Sequence, residues 1–351
     1  MTPYSSQPAK AFWKSSVSDR SMFDIADLWD PKFQILPETK VATYGSCFAQ
    51  HIGRALQDRG LNWHRSEAAP AGLKPENARR FNYDVFSSRT GNIYTTSLLR
   101  QWTNWALGVE TVPGEIWTHG DRFIDPFRPR VEPDGFESKA ELLATRQKTI
   151  ESFRASIERS DVFVFTLGLT ERWVNSKHGY EYPMCPGTAG GNFDASLHKF
   201  DNLDFARVRE DLSHVIQMMR KANPYLKFLL TVSPVPLAAT ATEEHVLVST
   251  TYSKSVLRAV AGQFAAERSV IDYFPSYEII SNPAFRGGFY EPDLRNVHGL
   301  GVDFVMDSFF ACQASKFGPL PKMATQKPAR NRKREDLVCE EELLAAFGGQ
   351  K

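Results

Sequence analysis

An α/β fold of three layers, with a mainly parallel sheet covered by helices on both faces, is what the sequence predicts, on three observations. Four short apolar runs bounded by turn residues have the length and make-up of buried strands. Segments with helical periodicity lie between them, as a parallel sheet requires. The first run ends on a glycine and leads straight into a helical pattern.

That first run, Lys40-Val41-Ala42-Thr43-Tyr44, stops at Gly45 and is followed by FAQHIGRAL, where Phe48, Ile52, Ala55 and Leu56 recur at helical spacing. It predicts strand, tight turn, helix. The other strands are expected from Asp161 to Gly168, Lys227 to Ser233 and Ser269 to Pro275, with helices over 138–160, 203–222 and 252–268. Ligands of parallel sheets bind beyond the carboxyl ends of the strands. The residues to read closely are therefore Gly45-Ser46-Cys47, Gly168-Leu169-Thr170-Glu171, Ser233-Pro234-Val235-Pro236 and Ser276-Tyr277-Glu278.

About a hundred residues separate the first two strands, too many for a single crossover. An insertion over about 61–137 is expected there, covering the site. Trp63, Trp102, Trp105, Trp117 and Trp173 fall in or near it, suited either to sugar or acyl recognition or to packing a second small core. Residues 1–37 read as an N-terminal extension and 38–318 as the main domain. Residues 319–351 read as a flexible basic, proline-containing linker followed by a short segment, DLVCEEELLAAF, of one or two amphipathic helical turns.

Composition narrows the function. Lys plus Arg is 42 and Asp plus Glu 41, so a net charge of +1 offers no field for nucleic acid or an anionic membrane. The four cysteines, Cys47, Cys185, Cys312 and Cys339, are far apart and lack CxxC pairing, which argues against a disulfide framework or structural zinc and fits a reducing cytoplasm. The first twenty residues lack the apolar core of a secretory signal, and no stretch approaches the roughly 18 apolar residues of a membrane span. Neither GxxxxGK[ST] nor GxGxxG is present, which leaves a phosphate-binding protein a distant third reading, and no cofactor or metal is expected.

A cysteine on a strand-to-helix turn is exposed to substrate and close to free backbone N–H groups, which suits a nucleophile. Cys47 holds that position, with Ser46 beside it; the alternative is a small residue buried under the helix. GSCFA at 45–49 resembles the signature of the bacterial GSCFA family, itself similar to a branch of the SGNH/GDSL hydrolase superfamily. The resemblance continues through GNIYT at 91–95, TLGLTERW at 166–173, YPMCPGT at 182–188, TVSPVP at 231–236, YSK at 252–254, YFPSYE at 273–278 and FYEPD at 289–293, covering about 38 to 310.

The resemblance implies a flavodoxin-like, SGNH-hydrolase-like sheet and a site assembled from separate blocks. Cys47 falls where the superfamily has its nucleophilic serine and Ser46 at the preceding aspartate; either side chain is conceivable, and the thiolate is the stronger nucleophile. Gly91 and Asn92 match the second block as oxyanion donors. Gly168-Leu169-Thr170-Glu171 matches the third, with Thr170 replacing asparagine, while helix capping is the other account of Thr170 and Glu171. In the late block Asp293 is present, but the residue three on is Asn296 and the nearest histidine, His298, is five on. His298 is the expected general base and Asp293 its orienter, with His51, four residues from Cys47, a weaker substitute. Lys254 either contacts an anionic substrate group or is a solvated lysine.

The function so implied is an acyl-ester hydrolase or O-acyltransferase acting on a carbohydrate-like or small ester or thioester substrate, with an acyl thioester as a co-substrate. The alternative is a non-catalytic carbohydrate-binding protein using the same cleft, which the shifted histidine and the threonine favour.

Overall fold

Apolar runs that can bury both faces become the central strands in the computed structural model of the chain, which describes residues 2–320, 341–345 and 347. In chain order the first elements are β1 (Val41–Gly45), α1 (Ala49–Asp58), α2 (Pro75–Arg80), α3 (Thr96–Ala106), β2 (Trp117–His119) and β3 (Arg122–Ile124). Then come α4 (Lys139–Arg159), β4 (Val162–Leu167), β5 (Glu171–Asn175), β6 (Glu181–Tyr182), β7 (His198–Asn202), α5 (Phe205–Ala222) and β8 (Lys227–Val232). The last are α6 (Val246–Glu267), β9 (Ile271–Tyr273), α7 (Ser276–Ser281), α8 (Gly299–Phe317) and α9 (Glu342–Ala345).

The four expected strands pair in parallel in the order β1-β4-β8-β9. Successive side chains alternate between two cores. Ala42, Tyr44, Phe163, Phe165, Leu167, Phe228 and Leu230 join residues of α3, α4, α5 and α6. Val41, Val162, Val164 and Leu229 join residues of α1, α7 and α8. Side-chain caps set where helices begin: Ser138 accepts from Glu141 N at 3.1 Å to start α4, and Asp204 accepts from Arg207 N at 2.9 Å to start α5.

The stretch between β1 and β4 is woven into the fold. Along the outer edge of β1, His64 N donates to Val41 O, Thr43 N to Ser87 Oγ and Ile93 N to Gly45 O, so irregular backbone covers an edge that would otherwise be open. Trp102, Trp105 and Trp117 enter the larger core and Trp63 the other, where its indole N–H donates to Thr43 Oγ1 at 2.9 Å. These four rings are buried and offer no exposed stacking face; Trp173, packed against Phe193 and Phe200, is partly exposed.

The N-terminal stretch is anchored as well. Ile25, Trp29, Phe33 and Ile35 are buried in the second core, and Lys32 N donates to Asp272 Oδ2 at 2.7 Å. At the other end, residues 321–340, most of the expected linker, lie outside the described residues, whereas Glu341 is buried. β5, β6 and β7 form a separate antiparallel sheet that the sequence did not suggest. No helix among the described residues is long and apolar enough to cross a membrane.

Candidate functional site

The turn after β1 is dictated by one glycine. Gly45 has φ +126° and lies opposite Thr166 of β4, so close that a Cβ would overlap the Thr166 carbonyl. The chain then turns sharply: Ser46 N donates to Thr166 O at 3.0 Å, Ala49 N to Ser46 O at 2.9 Å and Gln50 N to Cys47 O at 3.2 Å, leading into α1. Ser46 and Cys47 therefore stand at the carboxyl edge of the parallel sheet. Both are buried, at 2% and 3% exposure, so Cys47 is not exposed at the turn as expected: its side chain packs against Val235 and Val297.

The second and third blocks meet at this turn. Ile93 N holds Gly45 O at 2.9 Å, and Tyr94 O accepts from both Gly168 N and Leu169 N at 3.0 Å, so the segment following Gly91 and Asn92 staples the ends of β1 and β4. Gly91 adopts φ +69° to make that approach, and Asn92 is buried. Gly168 abuts Ser46 directly: a Cβ on it would lie 3.0 Å from the Ser46 Cβ. Thr170 N donates to Ser253 Oγ at 3.1 Å, and Lys254 Nζ donates to Gly168 O at 2.7 Å. Lys254 is buried within α6, which begins six residues before the expected start, so it is not a surface lysine.

Three hydroxyls in this neighbourhood, Ser46 Oγ, Thr166 Oγ1 and Thr170 Oγ1, are buried and have no hydrogen-bond partner among the described residues. Glu171 does not cap a helix; it opens β5. Its carboxylate accepts from Thr240 Oγ1 at 2.6 Å and Ala241 N at 3.2 Å, tying down the loop after β8. Burial pushes its pKa up despite those two donors.

The late block is arranged differently. Asp293 Oδ1 accepts from Arg295 N at 3.0 Å and Asn296 N at 2.9 Å, and Oδ2 from the Asn296 amide at 2.7 Å, a self-contained turn on an exposed loop. Its slight burial works against the charge, but those donors hold its carboxyl below the usual range. His298 is exposed and caps α8, its Nδ1 accepting from Leu300 N at 3.1 Å. No hydrogen bond joins Asp293 and His298 among the described residues. Yet Val297, one residue before His298, touches the Cys47 cluster, so the loop itself borders the turn.

His51 packs edge-on against Phe48, and burial, then the Arg54 charge, push its pKa down to about 3. A neutral imidazole of that basicity does not deprotonate a thiol at neutral pH. Cys185, from the CPG motif, is half-buried, and burial raises its thiol to about 11.

Sequence reasoning missed several supporting groups. Ser253 and the Tyr94 carbonyl position the third block, and only their place in the YSK and GNIYT motifs hinted at it. Arg295 and Glu341 meet at 3.4 Å at the mouth of the loop, a contact no local pattern announces.

Comparison with known sequences bears on this arrangement. No curated protein and no solved structure matches the chain. The profile of the GSCFA family matches residues 40–309, from the residue before β1 into α8, and so includes the Gly45 turn, the Gly168 block and the loop carrying Asp293 and His298. The chain belongs to the GSCFA family.

Proposed function

We propose that this protein moves acyl groups, as an ester hydrolase or O-acyltransferase, with Cys47 as nucleophile on an SGNH-like three-layer scaffold. The observation that carries it is the set of buried hydroxyls around the Ser46–Cys47 turn that have no hydrogen-bond partner among the described residues. Leaving a buried hydroxyl unsatisfied costs about 1–3 kcal/mol, and donors held unspent at the end of a parallel sheet suit a charge that develops only during reaction. Thr170 Oγ1 and Ser46 Oγ are the oxyanion donors in this scheme, with Gly91 and Asn92 shaping the same wall. Gly168, Glu171 and Lys254 hold the surrounding segments against the substrate.

The thiolate attacks an ester or thioester carbonyl, the tetrahedral intermediate expels the alcohol or thiol, and water or a sugar hydroxyl then takes the acyl group from sulfur. The proton of Cys47 goes to His298. In its capping pose the His298 Nδ1 already accepts a hydrogen bond, which places the proton of the neutral ring on Nε2, so this step requires the ring to leave the cap. A thiol nucleophile is kept reduced in a cytoplasmic setting.

A second reading, a carbohydrate-binding protein without chemistry, is favoured by one observation: Asp293 spends its carboxylate on its own loop and does not orient His298. Labelling separates the two. Under the catalytic reading iodoacetamide alkylates Cys47 ahead of Cys185 and Cys312, and Cys47→Ala removes that label. Fluorophosphonate labelling of Ser46 instead would move the nucleophile by one residue. Inertness of both would leave the binding reading.

A further inference from the structure

We propose that the rim of the Ser46–Cys47 turn carries a carboxylate-binding subsite, built from Arg295 and the Ala238 N–H, and that Glu341 is its intramolecular occupant. Glu341 Oε1 accepts from Ala238 N at 3.1 Å, and Oε2 lies 3.4 Å from Arg295 Nη2. The side chain is 9% exposed and that of Arg295 17% exposed, so the pair is largely shielded from water. Glu342, the next residue, is exposed, so a single side chain is inserted and general acidity of the segment does not account for the contact.

Both groups of this subsite sit on segments that border the turn, and Lys254 lies on a third. Arg295 is two residues from Val297, which packs on the Cys47 cluster. Ala238 follows Leu237, which clusters with Tyr94 and Leu169. Lys254 is bonded to the carbonyl of Gly168, the residue lying against Ser46. Burial raises the Glu341 pKa, the Arg295 and Lys254 charges oppose that rise, and Glu171 adds to it. A buried carboxylate is tolerated where cations and an N–H face it, and the same surroundings would take the carboxylate of a small molecule. The C-terminal segment then competes with that ligand for its place. Any link to catalysis rests on the Cys47 reading; the binding itself does not.

The test is calorimetric titration of the full chain with succinate, and with inorganic phosphate as the other anion source. Glu341→Gln, close in shape but uncharged, should bind succinate at least tenfold more tightly than the unsubstituted protein, and adding Arg295→Ala should reverse the gain. Equal affinity for the two proteins, indifference to Arg295→Ala, or binding of phosphate alone would overturn the proposal. A measurement on the unsubstituted chain guards against loss of fold in the variants: succinate should speed amide exchange at 342–345 by displacing Glu341, and unchanged exchange at saturating succinate would overturn it equally. Neither readout needs turnover, so failure here is distinguishable from failure of the acyl-transfer reading, which stands or falls on alkylation of Cys47.

Discussion

The two walls of the site are built in opposite ways. On one side, the ends of β1 and β4 are locked by backbone hydrogen bonds among Gly45, Ser46, Ile93, Tyr94, Thr166 and Gly168, and three side-chain hydroxyls there are buried without a partner among the described residues. On the other, the loop over 290–298 is exposed or half-buried throughout, and its two proposed catalytic side chains are spent locally, Asp293 on a turn and His298 on a helix cap. Groups on the rigid wall are preorganised; groups on the loop must give up existing hydrogen bonds to act. The proposed nucleophile and base therefore differ in how much reorganisation each needs, and substitutions should divide along the same line.

The largest effect expected is on chemistry at the rigid wall. Cys47→Ala should abolish acyl transfer, measured as thioester or aryl-ester turnover, whereas Ser46→Ala should lower it by roughly a hundred- to a thousandfold as one oxyanion donor is lost. Full activity in Cys47→Ala with none in Ser46→Ala would exchange their roles.

Next is the backbone of that wall. Gly45→Ala forces an L side chain into φ +126° and into the Thr166 carbonyl. It should cost about 3 kcal/mol or more of unfolding free energy in urea titration. A loss under about 1 kcal/mol would show that the wall yields and is not the rigid half of the comparison.

What was legible in the sequence follows the same division. The strand-glycine-helix pattern at 40–56 is local, and the parallel strands and the helices α1, α4 and α5 formed close to where their periodicity placed them. α8 was not anticipated, because Leu300, Val302, Phe304, Val305, Phe309 and Phe310 do not keep to one helical stripe, and without it His298 had no helix to cap. Once that helix is seen, a polar residue before Gly299 reads as an N-cap as readily as a displaced base. The antiparallel β5, β6 and β7 carry many polar residues and lack an apolar alternation to betray them. Burial of the tryptophans between β1 and β4 depended on contacts distant in sequence, which no window of residues reports.

A smaller effect is expected from His51, on the rigid side. Its pKa falls from the ordinary 6.5 to about 3 on folding, so below about pH 6.5 the unfolded chain binds a proton that the folded chain does not. Stability should then fall as pH drops through that window, by about 2–3 kcal/mol at pH 4.5. His51→Phe should flatten this part of the pH-stability curve while leaving turnover at pH 7 nearly unchanged. An unaltered slope would remove His51 as its cause.

The smallest expected stability change comes from the loop, and it asks which of two duties His298 performs. As N-cap of α8 it contributes about 1 kcal/mol, the usual worth of a side chain accepting from the first helical turn. His298→Ala loses the cap and any base function together, so a fall in turnover from that variant alone is ambiguous. His298→Asn separates them: asparagine is among the best capping residues but is no general base. If His298 is the base, His298→Asn should restore the melting temperature lost in His298→Ala while turnover stays depressed by orders of magnitude. If the cap is its whole role, stability and turnover should recover together. Asp293→Asn, which weakens the local turn without touching the cap, should then matter only in so far as it reshapes the loop that brings Val297 to Cys47.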